Sequence, residues 1–153
     1  MMTLFLQFVF SLIAMLGFCV MFHVPVRHIP AAAFIGSAGW FLYQLCLYFH
    51  VSTIIACFLA SCSVGLMSDI ASRLLKDAAT IFIIPGILCL VPGSGMYNTM
   101  LALVNGNLSQ AAATGSRTLM LAGSIALGLL VISAAIRIVV SIARKAVNIA
   151  AKL

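Results

Sequence analysis

The stretch Ile84-Pro85-Gly86-Ile87-Leu88-Cys89-Leu90-Val91-Pro92-Gly93-Ser94-Gly95-Met96-Tyr97-Asn98 decides how this chain folds. It lies within an apolar segment from Ala78 to Val104. That segment exceeds the roughly 20 residues a helix needs to cross a hydrocarbon core. Proline lacks an amide hydrogen, so Pro85 and Pro92 free the carbonyls of Ile81 and Leu88. Pro92, Gly93 and Gly95 together predict an unwound stretch near mid-segment. Unwound backbone cannot face lipid, where each unpaired polar group costs several kcal/mol. It must face protein or a water-filled cavity. Two readings follow: a proline kink buried against a neighbouring helix, or a discontinuous helix at a substrate site, the device secondary transporters use.

Outward from this stretch the chain is apolar almost throughout. Apolar residues make up 65% of it and charged residues 7%, against about a quarter charged in ordinary soluble domains. A soluble protein of 153 residues could not bury so much apolar surface. Four further segments reach spanning length: Thr3 to Phe22, Ala31 to Phe49, Val51 to Ala71 and Thr118 to Val140. All are hydrophobic on every face, which fits membrane helices and excludes barrel strands, whose residues alternate. The expectation is an all-α bundle of about five membrane helices forming one polytopic domain over residues 1–153, the fourth helix broken at Pro92 to Gly95. The N-terminal stretch has no basic leader region and no cleavage site, so it reads as a span and not as a signal peptide. The second and third segments, joined at His50, form a tight antiparallel hairpin.

Charge sets the expected orientation. Five spans gather Arg27, Arg73, Lys76, Arg144, Lys145 and Lys152 on one side, with Arg137 near that border, and leave Arg117 on the other. Because positive loops stay in the cytoplasm, the N-terminus is expected outside and the C-terminus inside. A re-entrant fourth segment would leave four spans and put Arg144, Lys145 and Lys152 outside, against that rule. The formal charge of +6 is thus topological: no stretch interleaves basic residues with exposed aromatics as a nucleic-acid site does.

Ala32/Gly36, Ala56/Ala60, Ser61/Gly65 and Ser124/Gly128 have the small-xxx-small spacing that lets helices approach closely. Trp40 reads equally as an interfacial anchor or as a packing residue. Cys19, Cys46, Cys57, Cys62 and Cys89 lie in apolar stretches without metal-ligand spacing, and read as packing residues. His23, His28 and His50 fall at segment ends on alternating sides, so no nucleophile, base or metal cluster converges. Neither catalysis nor a metal or cofactor is expected.

If the fourth helix breaks, a half-helix begins near Ser94 with its first amides unpaired, and its dipole favours negative charge there. A substrate carboxylate could bind at that point without an arginine. Ser94 lies about 24 Å along a helix from Ala78, somewhat past the bilayer centre. The expected substrate-binding residues are Pro92, Gly93, Ser94, Gly95, Tyr97 and Asn98: glycines for close approach, Ser94 as cap or contact, Tyr97 and Asn98 as polar groups one turn on. Asp69, Arg73 and Asp77 are spaced four apart and share a face if the third helix continues. They read as an interfacial charge cluster, or more sharply as a cytoplasmic gate or coupling group built on Asp69 and Arg73.

Gly17-Phe18-Cys19-Val20-Met21-Phe22-His23-Val24-Pro25-Val26-Arg27, Ile35-Gly36-Ser37-Ala38-Gly39-Trp40, Ile84-Pro85-Gly86, Leu90-Val91-Pro92-Gly93 and Tyr97 together resemble the bacterial threonine/serine exporter family. The likeness is to its small membrane subunit and covers roughly residues 10 to 105. It implies a partner, a larger membrane subunit of the same family, and export of small carboxylate-bearing metabolites across a bacterial inner membrane. At Cys89 the chain departs from the usual pattern, where many relatives carry proline. The substrate reading is threonine or serine, with a dicarboxylate such as succinate as the alternative and a non-transporting accessory role as the third. Asp69 and Asp77 are the only acidic residues, so the chain is poor in coupling groups and looks like part of a larger assembly, which also admits a homo-oligomer.

Overall fold

The computed structural model describes the backbone of residues 2–150 and the side chains of residues 6–142. Lys152 and the side chains of Arg144 and Lys145, on which the expected orientation partly rests, lie outside the described residues. Six α-helices run in order: α1 (Met2–Met21), α2 (Ile29–Tyr48), α3 (Thr53–Leu75), α4 (Thr80–Leu88), α5 (Gly93–Val104) and α6 (Leu108–Ala150). No strand occurs among the described residues. The all-α bundle expected from hydrophobicity is the architecture observed.

Where a helix departs from its apolar segment, a local cause is visible. A 3-10 turn at Val26–His28 leads into α2, and Pro30 sits in the first turn, where a missing amide costs nothing. Helix α3 runs past the apolar stretch through Asp69 and Arg73 until Lys76 takes a left-handed conformation at φ 56°. Helix α6 begins ten residues before the expected Thr118, because Asn107 Oδ1 accepts the Gln110 amide at 3.2 Å and starts the helix there. The fourth segment breaks: α4 and α5 are bent by 59° to one another.

Val26–Tyr48, Thr53–Leu75 and Leu108–Ile142 are each long and apolar enough to cross a membrane, and α4 with α5 qualifies as one bent span. The part of α1 whose side chains are described, Leu6–Met21, is apolar as well. The core that joins them contains Cys19, Ala32, Ile35, Cys57, Ala60, Val64, Phe82, Leu90 and Ile125. Small residues set the close contacts. Gly39 faces Val64, and Gly86 faces Val64 and Ile35. Ser61 and Gly65 of α3 face Gly128 and Ile132 of α6 across one seam, where Cys62 Sγ lies 3.4 Å from the Gly128 carbonyl.

The register of that seam fixes the direction of the broken segment. Gly128 faces Ser61 and Phe58, while Ile132 faces Gly65. Both numbers rise together, so α3 and α6 are parallel. The chain leaves α3 at one end and must enter α6 from the other, so α4 and α5 together carry it across. A re-entrant hairpin would have made α6 antiparallel to α3.

Candidate transport site

The break runs from Cys89 to Pro92 and not from Pro92 to Gly95 as expected: of the three residues that predicted it Pro92 lies in it, while Gly93 and Gly95 belong to the first turn of α5. Proline 85 lies inside α4, buried with Phe82 and Gly86. After Leu88 the last turn tightens, with Leu90 and Val91 amides both donating to the Ile87 carbonyl at 2.8 and 3.2 Å. Pro92 then adopts φ −77° and ψ 61°, and the Gly93 amide donates to the Val91 carbonyl at 2.8 Å. These are the angles and the bond of an inverse γ-turn. The first amide of α5 to find a helical acceptor is that of Met96, 3.1 Å from the Pro92 carbonyl. The amides of Ser94 and Gly95 make no backbone hydrogen bond, as the first amides of a helix do not.

Of the six expected binding residues, Pro92 is in the turn and Gly93, Ser94, Gly95, Tyr97 and Asn98 lie on the first two turns of α5, in different settings. Gly93, Ser94, Tyr97 and Asn98 are exposed, and Pro92 and Gly95 half-buried. A side chain at Gly93 would meet nothing within 4 Å, so its backbone is open to approach. At Gly95 a Cβ would lie 2.4 Å from Thr118 Oγ1, so this glycine also serves the contact between α5 and α6. Thr99 extends that contact, bonding the Gly95 carbonyl at 2.7 Å and Thr114 Oγ1 at 3.2 Å. Ser94 makes no side-chain cap, and α5 starts at Gly93, one residue earlier than expected.

Depth follows from register. Gly86 faces Val64, the twelfth of the 23 residues of α3 and so its midpoint. Cys89 to Pro92 lie three to six residues further on, about 5–9 Å along the helix direction, toward the end where α3 begins. Beside the break is a cavity of about 350 Å³ lined by Gln7, Phe10, Ser11 and Ala14 of α1, Trp40 of α2, and Cys89. Trp40 also packs on Tyr43 with ring centroids 5.4 Å apart. Gln7 and Ser11 went unremarked in the sequence because nothing in α1 says which of its faces meets the break. Their one legible signal was that they are polar in an apolar helix.

At the other end of the bundle the acidic residues separate. Arg73 Nε donates to Asp69 across one helical turn, the pair being 50% and 28% exposed. Asp77 does not join them, because the helix has ended at Leu75. Ser72 holds the loop by donating to the Asp77 carbonyl and accepting the Asp77 amide at its own carbonyl. The Asp77 carboxylate turns instead to His28, with Nε2 to Oδ2 at 2.6 Å. His28, which sequence reasoning set aside as a segment-end residue, is 3% exposed. A second cavity of about 180 Å³ opens nearby between the end of α1 and α4, lined in part by His23, Pro25, Thr80 and Pro85.

The family described as "Threonine/Serine exporter, ThrE" matches residues 7–135, which contain the break, its cavity and the His28–Asp77 pair. An uncharacterized protein of Haemophilus influenzae is 25% identical over 104 residues, covering 68% of this chain and 35% of that protein. The matched part is thus about a third of that relative's length. No solved structure matches. With five-sixths of its length matched and a bundle of apolar helices around a broken fourth segment, this membrane protein belongs to the threonine/serine exporter family.

Proposed function

We propose that the chain is one subunit of a two-component exporter that moves threonine and serine out of a bacterial cytoplasm. The observation that carries this reading is the break at Cys89 to Pro92 in a chain of this family. It leaves two unpaired amides at the start of α5, part-way through a bundle whose helices are otherwise continuous. In this reading the substrate carboxylate meets the amides of Ser94 and Gly95, where the helix dipole favours negative charge. Ser94, Tyr97 and Asn98 offer hydrogen bonds to the rest of the molecule, and Pro92 and Gly93 hold the turn open.

The larger membrane subunit covers the exposed side of α5. Met96, Tyr97 and Met100 are 57%, 67% and 66% exposed, next to a site that needs a wall. The length of the Haemophilus relative, of which only about a third is matched, is in keeping with a transport unit larger than this chain. In this reading the chain sits in the inner membrane with the end of the bundle bearing Arg27, Arg73 and Lys76 in the cytoplasm and the N-terminus outside, which the excess of basic residues at that end supports.

The test is efflux from proteoliposomes holding this chain with and without a larger membrane protein of the same family from the same genome. Labelled threonine, serine and succinate are each loaded in turn. Efflux of threonine and serine only with both chains is expected. Efflux of succinate alone would transfer the site to a dicarboxylate, and efflux of none of the three would reject the exporter reading.

A further inference from the structure

Of the three histidines, His23 and His50 are exposed and His28 is buried. Its Nε2 is bound to Asp77, and the Phe82 ring stands edge-on to it with centroids 5.5 Å apart. Its Nδ1 is buried without any hydrogen-bond partner, and so is Ser68 Oγ; among the described residues these are the two such side-chain atoms. The register brings both to one level. Gly86 faces Val64 in the antiparallel pair α3 and α4, so Phe82, one turn before Gly86, lies level with Ser68, one turn after Val64. Buried polar atoms are nearly always paired, so two orphans at one level of the bundle mark a place with an unmet requirement.

We propose that His28 is a proton-binding site, and that binding a proton there shifts α4 against α2 and α3. With Nε2–H donating to Asp77, the neutral ring leaves a lone pair on Nδ1. A proton arriving at Nδ1 makes an imidazolium, which strengthens the bond from Nε2–H to the Asp77 carboxylate. It also creates a buried N–H donor with no acceptor in the present packing. Both demands are met if α4, which carries Phe82 against the ring, shifts so that Nδ1–H reaches Ser68 Oγ or water. The second cavity, which runs along α4 from Thr80 to Pro85, gives that helix room. Imidazole is also the side chain whose ordinary titration falls within the range of cellular pH.

The titratable and charged groups of the elements meeting here are Cys19 on α1 and His23 after it, Arg27 on the same turn as His28, Tyr43, Cys46 and Tyr48 on α2, Cys57 and Cys62 on α3, and Asp69, Arg73, Lys76 and Asp77 at and beyond the end of α3. Helix α4 contributes none, and Asp69 and Arg73 are occupied with each other. Asp77 is thus the anion that receives the charge on His28. In the exporter reading, on which this part of the inference rests, His28 takes and releases the proton exchanged for substrate at the cytoplasmic end.

Two measurements test it. In nanodiscs, the ring carbon resonances of His28 in the wild-type chain, assigned by their loss in His28→Gln, are expected to move to those of an imidazolium as the pH is lowered, with the Phe82 ring signals moving in step. His28 signals that do not change with pH, or that change while Phe82 stays still, overturn the proposal. In inside-out vesicles of the native membrane, an interior-acid gradient of one pH unit is expected to raise threonine uptake by up to about tenfold, following proton concentration. His28→Gln keeps a donor for Asp77 and is expected to abolish that response while sparing gradient-free exchange. A His28→Gln chain with the full gradient response would reduce His28 to a structural staple. Wild-type vesicles that take up neither threonine, serine nor succinate would reject the exporter reading instead, and the resonance titration would still decide the proton site.

Discussion

Replacing Gly93 by valine separates the two readings of the broken helix. A Cβ at this position meets nothing within 4 Å, so the new side chain disturbs no packing. Valine is also a better helix residue than glycine, by a few tenths of a kcal/mol at the start of α5. What the isopropyl group does is cover the amides of Ser94 and Gly95. A hydrogen bond to a charged group contributes about 1.5–3 kcal/mol, so losing two costs a carboxylate at least about 3 kcal/mol, more than a hundredfold in affinity. Gly95→Val is the control with the opposite geometry. Its Cβ falls 2.4 Å from Thr118 Oγ1, forcing α5 from α6 at a cost of about 1–3 kcal/mol. The assay pairs threonine efflux over a range of substrate concentrations with thermal unfolding in detergent. Gly93→Val is expected to keep its melting temperature and lose affinity; Gly95→Val is expected to lose both. Normal affinity in a folded Gly93→Val chain would show that the break is only a kink and that substrate binds elsewhere.

Gly128→Leu should be the most damaging glycine replacement, because its Cβ would lie 2.0 Å from Ser61 Oγ and 2.8 Å from the Phe58 carbonyl. A loss of roughly 3 kcal/mol is expected on unfolding in detergent, whereas Gly123→Ala, with nothing within 4 Å, should be neutral or stabilising by up to about 1 kcal/mol. Asp69→Asn removes an exposed pair one helical turn long, so stability should change by no more than about 0.5 kcal/mol. Any larger fall in export by that folded variant would mark Asp69 as a gate and not as a surface charge. A reporter active only outside the cell should work at the N-terminus and near Gly106, and one active only in the cytoplasm should work after Leu153. A C-terminus found outside would contradict the orientation drawn from Arg27, Arg73 and Lys76.

The helices were readable because the lipid requirement is severe. Any chain of this hydrophobicity must satisfy its backbone internally, and proline and glycine announce where it does not. Boundaries were readable only where punctuation is local. Asn107 and Gln110 carried a helix-start signal that the polar run around them hid. Lys76 carried no signal, since its left-handed turn is imposed by the loop to α4. At the candidate site, the turn at Pro92 and Gly93 was legible because its cause lies in consecutive residues. The double duty of Gly95 was not, because Thr118 comes from a different helix. The His28–Asp77 pair was hidden for the same reason: 49 positions of chain separate the two, and no spacing rule connects them. The four-residue spacing of Asp69, Arg73 and Asp77 pointed to a shared face that the end of α3 at Leu75 removes.

Helix α6 has 43 residues, about 65 Å at 1.5 Å per residue, twice the thickness of a hydrocarbon core of roughly 30 Å. It cannot be merely a wall of the bundle. Its first third is clasped by α5 through Gly95, Thr99, Thr114 and Thr118, and its middle is pinned to α3 at Gly128. A helix held in this way would tilt about its contact with α3. Leu108 stands twenty residues from that contact, about 30 Å, so a tilt of roughly 5° would carry it through some 2.6 Å. A change in the bend between α4 and α5 would therefore be felt most at the Leu108 end of α6, which α5 holds, and least at the seam with Ser61 and Gly65.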